Sequence, residues 1–225
     1  MPEVPQIPQS DRHRVLVERL AADLKPVRPL WSVRVRLALW LLLEALVLSW
    51  VALHTSNHFW LKLRTPAYAL EVILFAAAGI LAGVLALRAA IPGRRLRQGE
   101  IALCVGLVVV GIALLMGQPT RTAYPLSQFI QIGLKCANHT CRFAALPLAA
   151  LWWTVWRGAP LRGGLTGLFI GAAAMLFSFA VMRIGCPIDE RLHLITWHLL
   201  PAFIVIALSA LAGTAWLRFR PRAFG

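Results

Sequence analysis

Six apolar stretches govern what this chain can become: about Leu37–His54, Ala67–Leu87, Ile101–Gly117, Phe143–Trp156, Leu165–Met182 and Ile195–Leu217. A helix needs about 20 mostly apolar residues to cross a hydrocarbon layer roughly 30 Å thick. Six such stretches predict an all-α integral membrane protein with six transmembrane helices. The fourth is the weakest, since it reaches spanning length only with Cys141, Arg142 and Arg157 at its ends. With 59% hydrophobic and 14% charged residues in 225, the composition lies outside that of a water-soluble domain. Pro147 and Pro201 each remove a helix donor inside a stretch, and a local kink is expected at each.

A net charge of +14 suggests nucleic acid until the cations are mapped. With the N-terminus in the cytoplasm, sixteen of the 23 lysines and arginines fall on the inner side. Basic residues concentrate in cytoplasmic loops, so both termini are expected inside. The charge then serves topology and attraction to the lipid bilayer, with no direct nucleic-acid partner. No cleaved signal peptide is visible in the polar, proline-dotted first thirty residues, and the first span is expected to direct insertion. Residues 1–36 form a cytoplasmic segment, 37–217 the six-helix domain and 218–225 a basic cytoplasmic tail.

Within the N-terminal segment, SDRHRVLVERLAADL offers Ser10 or Asp11 as cap, with Val15, Val17, Leu20, Ala21 and Leu24 at near-helical spacing. A short amphipathic helix ending at Pro26 follows. It suits either the inner leaflet or the groove of a cytoplasmic protein partner, and composition does not separate the two. Among the spans, Gly79 with Gly83 and the series Gly163, Gly167, Gly171 allow close helix approach. Packing within one chain is favoured over a homodimer. Glu44 reads as a polar packing or relay residue, and Glu71, near a span end, as one that reaches headgroups.

Of four cysteines, Cys104 reads as a buried small hydrophobe. Cys136 and Cys141 fall in the expected outer loop before the fourth span, and Cys186 follows the fifth. In an oxidising compartment these thiols pair. Cys141 with Cys186 ranks first because both sit at span ends, with Cys136–Cys186 and Cys136–Cys141 as alternatives. A constitutive staple without a sensing role carries equal weight. The same residues support a second chemistry: Cys136, His139 and Cys141 form C-x2-H-x-C, which Cys186 and His193 complete as a soft-metal site. Otherwise no cofactor is expected.

The stretch GCPIDERLHLITWHLLP, residues 185–201, reads as an outer turn at Cys186 and Pro187. Asp189, Glu190, Arg191 and His193 make its wet shoulder, Trp197 is an interfacial belt residue, and His198 and Pro201 lie inside the sixth span. His198 is the one deep histidine, which leaves a dihaem arrangement without its second ligand. No phosphate-binding loop, HExxH or GxSxG is present, and no enzyme is expected.

The N-terminal helix ending in DLKPV, the six spans, a cysteine before the fourth span followed by LP, and the CP, LH, WH, LP series before the sixth resemble the NrsF-like negative regulators of bacterial sigma factors. The resemblance extends from about Leu16 to Leu217. It implies an anti-sigma factor of the bacterial inner membrane. Its cytoplasmic segment, through Leu20, Asp23, Leu24, Pro26 and Val27, would hold an extracytoplasmic-function sigma factor and release it on a periplasmic stress signal. Two outer cysteines of that family are associated with response to metal or oxidative stress. Carried over, Cys186 is one, and Cys141, by its distance to Leu146 and Pro147, is the second, with Cys136 an addition to the two-cysteine pattern. Trp197, His198 and Pro201 would relay the signal. The rival readings are a membrane thiol-disulfide oxidoreductase and a metal or small-solute transporter.

Overall fold

The computed structural model describes residues 9–22, 30–54, 58–120 and 125–219. Among them every regular element is helical: α1 (Gln9–Ala22), α2 (Val33–His54), α3 (His58–Leu63), α4 (Pro66–Ala89), α5 (Gln98–Met116), α6 (Leu126–Trp156), α7 (Gly163–Gly185), α8 (Arg191–Leu194), a π-turn (Ile195–Leu199) and α9 (Leu200–Phe219). The chain divides into two units, residues 1–30 and 31–225.

In the first unit, α1 begins at Gln9, so Ser10 and Asp11 lie within its first turn instead of capping it. Val15, Leu16, Val17 and Leu20 are exposed, and Arg14 pairs with Glu18 one turn on. Asp23, Leu24, Pro26 and Val27 lie outside the described residues.

In the second unit, five helical segments are long and apolar enough to cross a membrane: Val33–His54, Pro66–Ala89, Gln98–Met116, Gly163–Gly185 and Arg191–Arg218. The expected fourth span is part of α6, which is not among them. At 31 residues, α6 is about 46 Å long at 1.5 Å per residue, and its first half carries Gln128, Gln131, Lys135, His139 and Arg142. The structure makes helix of what composition predicts as an outer loop, because the polar residues there mask a helical pattern in which Phe129, Gly133, Thr140 and Ala144 are buried. The helix also continues through Pro147, whose carbonyl accepts from Trp40 Nε1 at 3.2 Å.

The centre of the bundle is α7, whose apolar window is 83% buried, against 17% for α2 and for α5. Its glycines account for this. A Cβ at Gly163, Gly167 or Gly171 would collide with Gly213, Ser209 or Ile206 of α9. At Gly79 of α4, a Cβ would meet the α7 backbone, 2.9 Å from Phe177 N and 3.0 Å from Ala173 O. The small-residue stripes are therefore consumed by packing within one chain, as favoured. Ser209 Oγ fastens the α7–α9 seam, donating to Gly167 O at 2.7 Å and accepting from Trp152 Nε1 at 3.2 Å. Contacts of this kind associate helices in lipid, where apolar burial supplies little net drive. Cys104 is buried as expected, with its thiol 3.6 Å from Ala78 O. Glu44 is 1% exposed and its Oε1 has no partner among the described residues.

Candidate functional site

Two buried polar groupings meet at the end of the bundle where α7 gives way to the turn before α8. The first is an ion-pair network. Arg183, on the last turn of α7, is wholly buried and donates from Nε to Glu71 Oε1 at 2.7 Å and from Nη2 to Oε2 at 3.3 Å. Its Nη1 reaches Asp189 Oδ1 at 2.7 Å, and Lys62 of α3 holds the other oxygen of Asp189 at 2.7 Å. Gln118 donates to Glu71 at 3.3 Å, and Tyr68 donates its hydroxyl to the Arg183 carbonyl. Glu71 is thus not a headgroup-seeking residue. It is 0% exposed, and its charge is tolerable there because a guanidinium matches both oxygens. Arg183 and Asp189 bracket Cys186 by three residues on either side, and Lys62 Nζ also donates to the Cys186 carbonyl at 2.9 Å. The network therefore fixes the turn that carries the thiol.

The second grouping is built on that turn. Cys186 caps α7, with its N–H donating to Met182 O at 2.7 Å, and is 2% exposed. Facing it is Cys136 of α6, half-buried, with the sulfurs 3.9 Å apart. His193 Nε2 lies 3.7 Å from Cys186 Sγ. His198 packs beside it, with the two imidazole centroids 5.3 Å apart. His193 is 0% and His198 1% exposed. One ligand atom from each of Cys136, Cys186, His193 and His198 falls within 4.8 Å of all the others.

Local backbone geometry decides which residues arrive. On α6, Cys136 and Thr140 are one turn apart and share a face, whereas Cys141 lies about 140° around the helix from Cys136. Cys141 instead packs beside Ala144, Ala174, Met175 and Ala202. The structure thus brings Cys136 to Cys186, where Cys141 was expected. His139 is exposed and stacks on Phe143, with centroids 6.0 Å apart, so C-x2-H-x-C does not converge on one point.

His193 and His198 are five residues apart, a spacing that also points about 140° apart on an α-helix. The π-turn between them changes this. Its i→i+5 bonding, with Leu200 N–H donating to Ile195 O, brings a residue five positions on back over the same face. Pro201 gives a physical reason for the irregularity there, since it cannot donate to the Trp197 carbonyl as α geometry requires. Two expectations are corrected by this arrangement. His193 and Glu190 are buried, at 0% and 7% exposure, instead of forming a wet shoulder. Trp197 is half-buried against Phe129, with centroids 5.7 Å apart, and lies so close over Gly133 that a Cβ there would collide with its indole. It is a packing residue at this seam, not a belt residue facing lipid.

Hydrogen bonds order the cluster. Thr140 Oγ1 donates to Cys136 O at 3.0 Å and lies 3.0 Å from His198 Nδ1. Ser178 Oγ donates to Thr140 O at 2.7 Å. Neither His198 Nε2 nor His193 Nδ1 has a partner among the described residues. Cys186 is the acidic thiol of the pair. The hydrogen bond from Cys136 lowers its pKa against the opposing effect of burial, and the contact with His193 lowers it further. The same bond to Cys186 raises Cys136, and burial adds to the rise.

Among known proteins, the chain matches the family described as NrsF, negative regulator of sigma F, over residues 20–219. It belongs to that family. No curated protein and no solved structure matches it. The NrsF match takes in the whole cysteine-histidine cluster, the ion-pair network and, from residue 20 on, the later part of the N-terminal segment. Sequence reasoning about this NrsF chain missed Thr140 and the pairing of Arg183 with Glu71. It also placed His198 alone. The available signal was the five-residue separation in HLITWH beside Pro201, which is uninformative until the π-turn is known. His54, at the end of α2, is engaged within its own helix: its Nδ1 lies 2.7 Å from Trp50 O and its ring stacks on Trp50.

Proposed function

We propose that this chain is an anti-sigma factor of the bacterial inner membrane, with six spans and both termini in the cytoplasm. Residues 1–36 hold an extracytoplasmic-function sigma factor, and the Cys136–Cys186 pair on the outer side receives the signal that releases it. The observation that carries this reading is the NrsF match over residues 20–219, which joins the N-terminal segment and the thiol pair in one family pattern.

Several features support the arrangement. The bundle has two chemically distinct ends. One holds Arg36, bonded to Thr154 O at 3.4 Å, with exposed Trp31, Trp153 and Trp156 nearby in sequence. The other holds Cys186 and Lys62. Exposed tryptophans suit a membrane interface, and the cation-rich end suits the cytoplasm. In α1, the exposed Val15, Leu16, Val17 and Leu20 are anchors of the type a partner groove takes from an amphipathic helix. Counting the second half of α6 as the fourth of six spans places its polar first half beyond the hydrocarbon, which suits the chemistry of that half.

The mechanism follows from where Cys186 sits. It joins α7, the central helix, to the π-turn that opens α9, and it faces α6. A bond or ion that draws Cys136 and Cys186 together changes how those three elements pack. Switching a two-state protein from 1:99 to 99:1 needs roughly 5.5 kcal/mol of differential free energy. Structural zinc supplies about 10–16 kcal/mol in small domains, so such an input has the required size.

The test uses the full-length protein in detergent to capture the sigma factors of its host. Capture that is lost with Leu20→Asp or Leu24→Asp supports the reading, and no capture of any sigma factor ends it. In cells, Cys136→Ser and Cys186→Ser are expected to abolish induction of the regulon by oxidant or cadmium. Unchanged induction would reduce the pair to a structural staple.

A further inference from the structure

Resting on the reading of the thiol pair as the signal input, we propose that Cys136, Cys186, His193 and His198 form a four-coordinate site for a thiophilic divalent cation of the zinc or cadmium class. Zinc bound by two thiolates at about 2.3 Å in tetrahedral geometry separates the sulfurs by roughly 3.8 Å. The observed separation is 3.9 Å, and Cys186 Sγ to His193 Nε2 is 3.7 Å. Both are close to the edges of a tetrahedron that encloses an ion of that size. Two sulfurs and two imidazoles are the ligand set such cations select. With no carboxylate among the four donors, it is a poor set for magnesium or calcium.

The strongest support is the state of His198. Thr140 commits its hydroxyl proton to the Cys136 carbonyl, so toward His198 Nδ1 the hydroxyl oxygen acts as acceptor. Nδ1 therefore carries the ring proton, and Nε2 presents a bare lone pair. That lone pair lies in a site 1% exposed and has no donor among the described residues. A buried acceptor left without a partner is costly, and a cation shared with Cys186 satisfies it. Thr140 thereby holds a metal-binding imidazole in the correct tautomer through its other nitrogen. The phenyl rings of Phe129 and Phe179 stand edge-on against His193 and His198, at 6.3 Å each, and keep the surroundings apolar.

Charge and protons balance. The incoming dication displaces one proton from each thiol, both protons leave to solvent, and the filled site is neutral with two thiolates and two neutral imidazoles. Neutrality is what permits an ion to sit among buried groups. The structure also assigns a function to the π-turn: without it the two histidines would face different directions, so the irregular turn constructs half of the ligand set.

The probe is Co2+, titrated into the reduced, full-length protein in detergent and then displaced by Zn2+ and by Cd2+. Expected are one Co2+ per chain, a thiolate-to-cobalt charge-transfer band and the intense visible bands of a tetrahedral ion. Cys136→Ser and Cys186→Ser each weaken the charge-transfer band. His193→Ala and His198→Ala lower affinity by about 10-fold or more, and Thr140→Val by about 10–100-fold, with Thr140→Ser restoring it. Cys141→Ser and His139→Ala bind as the parent does. Far-ultraviolet circular dichroism confirms that the Thr140 pair is equally helical, so their comparison stands even where a cysteine variant misfolds. The proposal is overturned if both histidine variants keep the parental spectrum and affinity, or if the parent gives only the weak bands of octahedral cobalt. Sigma-factor capture is measured separately. A chain that binds Co2+ as described but captures no sigma factor refutes the anti-sigma reading alone, and the converse result refutes the metal site alone.

Discussion

Arg183 and His198 are equally hidden, at 0% and 1% exposure, yet they sit in very different company. Every nitrogen of the Arg183 guanidinium has a carboxylate partner, and Asp189 is shared with Lys62. His198 has one satisfied nitrogen and one bare one, beside a second histidine in the same condition. Burial alone therefore does not mark a site. A closed polar network holds a turn in place, whereas a cluster with unspent lone pairs is arranged for something that arrives. Here the closed network also positions the open cluster, because Lys62 and Asp189 grip the turn of Cys186.

The largest effect that separates the two regions should come from Glu71→Ala, which leaves the buried Arg183 guanidinium with only Asp189 and strips Nε and Nη2 of their carboxylate. A loss of about 3–5 kcal/mol in unfolding free energy is expected, read as a large drop in thermal midpoint in detergent. The double replacement of Glu71 and Arg183 by methionine should recover most of it, because no charge is then stranded. A midpoint that Glu71→Ala leaves within a degree or two of the parent would show that the network is not structural.

Gly133→Ala comes next. A Cβ there strikes the Trp197 indole, and displacing Trp197 within the π-turn should cost about 1–3 kcal/mol and lower Co2+ affinity together. Loss of stability with unchanged affinity would uncouple the π-turn from the cluster. Thr140→Val is smaller in the metal-free protein, about 1 kcal/mol for the hydrogen bonds removed, but should fall much more heavily on Co2+ affinity. Equal effects on both would place Thr140 with the closed network. Smallest is Cys141→Ser, expected within about 0.5 kcal/mol of the parent, with Co2+ binding intact. A substantial change in Co2+ binding would return Cys141 to the site it was first assigned.

Much of the architecture was legible from composition. The apolar stretches identify five of the observed long helices, because lipid imposes one simple demand on a spanning segment and apolar length answers it. The small-residue stripes of α4 and α7 were read correctly as helix contacts. The first half of α6 was not legible as helix. Its Lys135, His139 and Arg142 carry a loop-like composition, and the buried positions among them are widely spaced. Glu71 was misplaced for a related reason: a carboxylate near a span end looks like a headgroup neighbour until an arginine 112 positions away is seen to match it.

For the site, residue types were readable but their grouping was not. Position along the chain was enough to put cysteines and histidines near the start of the fourth and sixth spans, since it follows from the apolar pattern. That Cys136 faces Cys186 while Cys141 turns away, and that His193 and His198 meet, follows from the packed bundle alone. The reason lies in rotation about helix axes. One residue more or less along α6 swings a thiol by about 100°, and a single π-turn before Pro201 reverses the direction in which an imidazole points. Linear spacing records neither, because both depend on which face each helix gives to its neighbours.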